Sequence, residues 1–403
     1  MGPPQSGMFR PAPPSQRVVF YSHDTFGLGH LRRSRALATA LTQSDTQTSA
    51  IILTGSPVAG RFAFPERVDH IRLPGVTKLP DGSYVSQSLG LHIDDTTALR
   101  AGLIQTAIER FEPDLLIVDK EPTGFRGELL PTLEYLRMRG RTRTVLGLRD
   151  VLDDPESLAV EWDRKGALAA AENLYDEIWV YGMRDVYDPT EGLALSPDAR
   201  ARMHWTGYLR RSVEDAGETP NGAYVLVTPG GGGDGAAMVS LVLSAYEQDP
   251  DLKPDAVLIY GPFLSGEVRD QFDARVARLG GRVTALGFDS KIEALFAGAD
   301  GVVCMGGYNT FCEVLSFDRP AVIVPRTKPR REQWIRASRA EELGLVRMLD
   351  ETRDGMTTQS MIAAIRALPT LPKPSTAGAD GLLDGLEVVV ARAHELMSRE
   401  LQR

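Results

Sequence analysis

Short runs rich in Val, Ile and Leu alternate with helix-like stretches along nearly the whole chain, and the alternation starts twice. The first series opens with "RVVFYSHD" and continues through "TSAIILTGS", "DHIRLP", "PDLLIVDK", "TRTVLGLRD", "DEIWVYGM" and "MHWTGYL". Stretches such as "HLRRSRALATALTQ" and "DTTALRAGLIQTAIERF" lie between them. Strands that are apolar along their whole length must be covered on both faces. With helices in between, they predict a mostly parallel sheet. The second series opens with "AYVLVTPGGGGDGAAMVSLVLSAY", again strand, glycine turn and helix, and runs on through "DAVLIYG", "RVTALGF", "ADGVVCMGG" and "PAVIVPR". The expected fold class is therefore α/β, with two facing Rossmann-like domains, mostly parallel sheets and a cleft between them.

The expected boundaries follow composition. Residues 1–16 read as a disordered arm, rich in Pro and Ser and lacking the apolar core of a signal peptide. Residues 17–210 form the first domain, 211–222 a polar linker, 223–375 the second domain, and 376–403 a helix that closes the chain. A formal net charge of -9 argues against a general nucleic-acid binder. The two cysteines, Cys304 and Cys312, are too few for a disulfide scaffold and lack metal-ligand spacing. No run approaches the ~18 apolar residues of a membrane span. A cytoplasmic protein, free of metal and of any bound cofactor, is expected.

In open α/β sheets ligands gather beyond the carboxyl ends of the strands, and this rule sorts the candidates. In the second half, Gly230, Gly231, Gly232, Gly233, Asp234 and Gly235 follow a strand and precede a helix. Such a loop lets backbone N–H groups and the positive end of a helix dipole reach a phosphate. The GK[ST] ending of a Walker loop is missing. In "CMGGYNTFCEVL" the pair Gly306 and Gly307 makes a tight turn, Asn309 or Thr310 is expected to cap the next helix, and Glu313 is expected near its first turn. A carboxylate there can accept from a vicinal diol such as a ribose, or can simply complement the helix dipole. "PRTKPRREQW" places Arg326, Lys328, Arg330, Arg331 and Gln333 on the same edge, as a diphosphate clamp or as a solvated basic loop.

In the first half, "FGLGHLRR" fails as a dinucleotide fingerprint, because Arg32 stands where the third glycine belongs and no acidic residue ends the next strand. Gly27 and Gly29 instead bring His30 to the cleft, where an imidazole can take a proton near neutral pH. Arg32 and Arg33, with Arg35, follow as acceptor-side or merely solvated cations. Other strand ends deliver His23 and Asp24, then Asp119, Lys120 and Glu121, then Arg149 and Asp150. Asp119, Glu121 and Asp150 join His30 as candidate bases, although Lys120 with Asp150, or Asp119 with Arg149, could be plain ion pairs. "DPD" at Asp249 to Asp251 precedes a strand, away from the cleft, and reads as a turn.

The stretch "MGGYNTFCEVLSFDRPAVIVPR…EQWIRASRAEELG" resembles the donor-binding region of GT-B glycosyltransferases, in particular the peptidoglycan N-acetylglucosaminyltransferases. "FGLGHLRRSRALA", "LPGVTKLPDGSYVS", "PDLLIVDKEPTGFRGEL" and "VLGLRDVLDDP" resemble a bacterial group known as predicted glycosyltransferases. The resemblance implies metal-independent, inverting transfer from a nucleoside diphosphate sugar, UDP-linked, to a glycan or lipid-linked acceptor. It implies that the first domain serves the acceptor and the second the donor. Glu313 would bind the ribose, Gly231 to Gly235 and Gly306–Gly307 would face the diphosphate, the backbone around Phe288 would lie against the base, and Gln333 would reach the sugar or ribose. The chain departs from the pattern after that glutamine, where an asparagine is replaced by "QWIRAS". The "G-L-G-H-x-x-R" segment also resembles the nucleotide-sugar hydrolase of pseudaminic acid synthesis. A hydrolase or 2-epimerase, and a non-catalytic nucleotide-sugar-binding protein, therefore stand as alternatives. A lipid-linked acceptor would call for peripheral contact with the inner face of a membrane, for which Phe62, Phe64 and Arg67 are the exposed-looking candidates.

Overall fold

The structure, a computed structural model, describes residues 16–23, 29–79, 82–213, 219–220, 222–230, 234–261, 264–287 and 292–398. Asp24, Gly27, Gly231, Gly232, Gly233 and Phe288 lie outside the described residues.

The first series folds as β1 (Gln16–Ser22), β2 (Thr48–Thr54), β3 (Val68–Arg72), β4 (Val76–Lys78), β5 (Tyr84–Ser86), β6 (Leu115–Asp119), β7 (Arg143–Arg149), β8 (Glu177–Tyr181) and β9 (Met203–Trp205). Its helices are α1 (Gly29–Ser44), α2 (Ile93–Phe111), α3 (Leu130–Arg139), α4 (Pro155–Arg164), α5 (Ala167–Asn173) and α6 (Pro197–Ala201). The second series folds as β10 (Tyr224–Thr228), β11 (Asp255–Ile259), β12 (Val283–Leu286), β13 (Gly301–Cys304), β14 (Ala321–Ile323) and β15 (Arg347–Met348). With it come α7 (Ala236–Gln248), α8 (Gly266–Ala277), α9 (Ile292–Gly298), α10 (Tyr308–Ser316), α11 (Glu332–Glu342), α12 (Thr358–Ala367) and α13 (Gly385–Ser398).

Two parallel sheets result. The seven-stranded one runs β3-β2-β1-β6-β7-β8-β9 and the six-stranded one β12-β11-β10-β13-β14-β15. The short antiparallel pair β4-β5, which sequence pattern did not reveal, stands apart from both. In each sheet the chain moves outward from its first strand, then returns to that strand's other side. The resulting switch points lie between β1 and β6 and between β10 and β13. Crevices open at such points beyond the strand ends, and there the candidate loops of both halves converge.

Apolar packing joins the halves. One buried cluster runs from Val18, Phe20 and Leu31 of the first half to Leu226, Phe311 and Val389 of the second. Tyr208 meets the ring of Phe311 edge-on at 5.2 Å between centroids. The chain's last part returns to the first sheet, with α13 packing against α1 and Arg392 donating to Glu177 at the start of β8. At the crossing, Tyr208 N donates to Leu382 O at 2.8 Å. Gly207 adopts φ +85°, and a Cβ there would sit 2.6 Å from Gly381 O, so only glycine fits.

Two expectations need correction. Phe62 is only 9% exposed and Phe64 stacks on His70 at 4.6 Å, so these two rings pack on the fold, while Arg67 stays exposed and donates to Thr42 O. Among the described residues no helix is long and apolar enough to cross a membrane. The cap of α10 is Gly307, not Asn309 or Thr310; these lie within its first turn, and Glu313 lies in the second.

Candidate active site at the two sheet switch points

His30 is the second residue of α1, the helix that leaves the β1 switch point. Asp119 is the last residue of the neighbouring strand β6 and is 4% exposed. His30 Nδ1 lies 2.5 Å from Asp119 Oδ2. Arg33, one helical turn beyond His30, donates through Nε and Nη2 to Asp119 Oδ1 at 2.8 and 2.6 Å and through Nη2 to Oδ2 at 2.7 Å. Burial alone would raise the Asp119 pKa, but Arg33 and His30 more than offset it and hold the carboxyl below its ordinary range. An ionised Asp119 accepts from Nδ1–H, which leaves Nε2 of His30 as the ring's proton acceptor. Arg33 is 1% exposed and spent on this carboxylate, so it does not reach an acceptor.

The neighbours of this pair are buried and titratable. His23, just past β1, has its ring edge-on to His30 at 5.8 Å, and its Nδ1 has no partner among the described residues. Burial pushes its pKa down to about 3, so it stays neutral. Glu121 accepts from Lys165 at 2.8 Å and pairs with Lys120 at 3.1 Å. Burial works against its charge, but Lys120 and Lys165 beside it outweigh burial and keep it ionised. Lys120 itself is pushed down to about 8, chiefly by burial.

Neither ion pair weighed from sequence forms. Asp119 sits in register with Gly147, so Arg149 lies two residues farther along its strand. Asp150 turns instead to the second half. It accepts from Arg336 Nε and Nη2 at 2.7 and 2.6 Å, and from Tyr208 Oη at 3.0 Å. Both members of the pair are 0% exposed, which removes Asp150 as a base.

On the second sheet, Gly230 follows β10 with φ +84°. Asp234 and Gly235 lead into α7, whose cap, Gly235, supplies no side-chain partner for the first N–H groups. Gly306 adopts φ +73° after β13, and a Cβ there would meet Ile323 at 2.7 Å. Thr310 faces the Gly230 turn. Asn309 Nδ2 donates to Gly29 O at 3.1 Å, and its Oδ1 accepts from Arg211 at 2.8 Å. Glu313 is fully buried. Its Oε1 receives Arg32 from the first half, while Oε2 has no partner among the described residues. Burial raises its pKa, which the charge of Arg32 partly offsets. Arg32 also holds Glu293 of α9 at 2.8 Å, so its place is on the donor-side carboxylate rather than an acceptor.

Two cations of the basic loop, Arg326 and Arg330, are committed too. Arg326 pairs with Asp234 and, at 2.6 Å, with Glu332, while its N–H donates to Gln333 Oε1 at 3.1 Å. Arg330 reaches Glu161 on α4 at 2.9 Å, so it straps the halves together instead of lying open for a diphosphate. Asp249 caps α7 and accepts from Arg366, as a turn residue does. No group of three or more His, Cys, Asp or Glu side chains suited to a metal ion occurs among the described residues.

Sequence reasoning missed Arg336 and Glu293. Arg336 had a usable signal, since it lies one turn after Gln333 on the same face of α11, within the stretch "QWIRAS" where the chain departs from the resemblance. The pairing of Arg32 with Glu313 had none, because the partners are far apart in the chain and meet only once both sheets are built.

Comparison with known proteins agrees with this architecture. Residues 224–376 match the glycosyltransferase family 28 C-terminal domain. The glycosyltransferase of kitacinnamycin is similar in structure, with TM-score 0.62 and 18% identity over 97% of this chain and 100% of that one. MurG of Acinetobacter baumannii superposes with TM-score 0.58 and 13% identity, covering 94% of this chain and 99% of that one. UGT2 of Phytolacca americana, solved with UDP-2fluoro-glucose and pterostilbene, gives TM-score 0.61 and 16% identity, covering 95% of this chain and 94% of that one. Comparison with curated proteins finds no match. The chain thus has a GT-B-like fold, and residues 224–376 of it match the glycosyltransferase family 28 C-terminal domain.

Proposed function

We propose that this protein is a metal-independent, inverting glycosyltransferase. It moves a sugar from a UDP-linked or other nucleoside diphosphate donor to a hydroxyl of a glycan or lipid-linked acceptor. The observation that carries the reading is the His30–Asp119 pair at one switch point, set across from the glycine turns and α7 terminus of the other. His30 Nε2 takes the acceptor's hydroxyl proton, and the freed oxygen attacks the anomeric carbon. The bond from that carbon to the diphosphate oxygen breaks, and a single displacement inverts the centre. The departing nucleoside diphosphate carries the electron pair into the N–H groups and dipole of α7 and the turn at Gly306 and Gly307. The unpaired buried Oε2 of Glu313 accepts a ribose hydroxyl. Gln333, Asn309 and Thr310 frame the donor, and Glu121 shapes the field around the base. The two buried free cysteines accord with work in the reducing cytoplasm.

Calorimetry with UDP and UDP sugars tests the donor site, and Glu313→Ala is expected to abolish binding. His30→Ala is expected to cut turnover by about a hundredfold or more with donor binding retained. If no nucleotide binds the native protein, the reading falls. Free sugar released without acceptor, as fast as transfer proceeds with it, would make the protein a hydrolase instead.

A further inference from the structure

Arg149 ends β7 and stands beside the first switch point with its side chain half-buried. Its Nε is shut from solvent without a partner, and the guanidinium forms no hydrogen bond or ion pair among the described residues. The charges around it are mostly of its own sign. Glu332 is the carboxylate that most favours it, Arg33, Arg336 and Arg330 oppose it, and Lys120 on the adjacent strand end adds to the positive field. These other guanidiniums are already spent, on Asp119, Asp150 and Glu161 respectively. Glu332 gives Oε1 to Arg326, its Oε2 has no partner among the described residues, and it stands near Arg149 as a counter-charge without bonding to it. Burial, together with these cations, pushes Arg149 down to about 10. A shielded cation among cations is held at a cost unless an anion completes the site.

We propose that Arg149 receives a phosphate-class oxyanion in the cleft. The guanidinium's planar fork matches two oxygens of such a group, and no carboxylate of the described structure occupies it. Two sources share this chemistry: the diphosphate of the donor, and a phosphate carried by the acceptor. The inference rests on the proposed nucleotide-sugar reading for its setting, but not for its test.

Calorimetry on the full chain uses three probes: UDP, inorganic pyrophosphate alone, and inorganic phosphate added to UDP-saturated protein. Arg149→Ala is expected to weaken at least one of them by about tenfold. A loss with UDP and pyrophosphate identifies the donor's diphosphate. A loss confined to phosphate on the UDP-saturated protein identifies an acceptor phosphate. Arg149→Lys keeps the charge but not the fork, and it decides the matter if the alanine variant does not fold, with a loss of severalfold expected. Affinities within twofold of the native protein for every probe would overturn the proposal. So would a native protein that binds none of them. A variant with a lower melting temperature but unchanged affinities would show that Arg149 only balances Glu332. If UDP fails to bind but pyrophosphate binds through Arg149, the nucleotide reading fails while this one stands.

Discussion

His30 gains its role from what holds it. A free imidazole can exchange either ring proton, whereas one tied through Nδ1 to an ionised, Arg-clamped aspartate presents Nε2 as its acceptor. His23 shows the opposite use of the same side chain, buried and kept neutral. Its folded pKa of about 3 lies below the ordinary 6.5, so between those values the unfolded chain binds the extra proton. Glu121 favours its charging, while Lys120, His30, Lys165 and above all burial oppose it. Its contribution to stability is therefore complete above pH 6.5 and is lost as pH falls toward 3. Each tenfold change in proton affinity is worth about 1.4 kcal/mol, so the whole amounts to a few kcal/mol. His23→Gln is expected to flatten the fall in melting temperature between about pH 7 and about pH 4.5. Parallel melting profiles for variant and native protein would contradict this.

Elements matter here through what they carry. α1 presents His30, Arg32 and Arg33 from its first two turns, and its flank is covered by α13, the last described helix. Val389 of α13 is fully buried in the cluster that also holds Leu31 and Leu37. Placing a carboxylate there buries a charge without a partner, at a cost of about 3 kcal/mol or more. Val389→Asp is expected to lower the melting temperature and to weaken turnover by loosening the helix that presents His30. A variant that melts with the native protein would mean that α13 is a passive cover.

The whole molecule is held by a mixed seam. Its centre is dry, with Tyr208 against Phe311 and the Asp150–Arg336 pair shut from solvent. At its rim, Arg330 meets Glu161, and Arg331 N donates to Asp153 Oδ1 at 3.0 Å. Rim pairs are worth at most about 1 kcal/mol each, so they set the angle of closure more than the stability. Glu161→Gln is expected to raise the radius of gyration in solution scattering while the melting temperature barely moves. Unchanged scattering would show that Arg330 is not a strap between the halves.

Every strand of both sheets except β15 could be read from apolar runs between turn residues, because the central strands, buried on both faces, must be apolar along their length and the edge strands β3, β9 and β12 still carry a buried apolar residue at their start. The glycine turns after β10 and β13 and the histidine after β1 were legible for a related reason. Parallel sheets put ligand groups at strand ends, and strand ends are local features of a chain. Charge pairing was not legible. Asp119, Asp150, Glu313 and Arg330 are equally plausible bases, clamps or ion-pair members until their partners are known. Those partners, Arg33, Arg336, Arg32 and Glu161, lie on other elements, three of them across the seam. Local backbone and burial preferences act over a few residues and so leave their mark on the sequence. A charge's role is set by the few ångströms around it, and only the docking of two sheets brings those neighbours together.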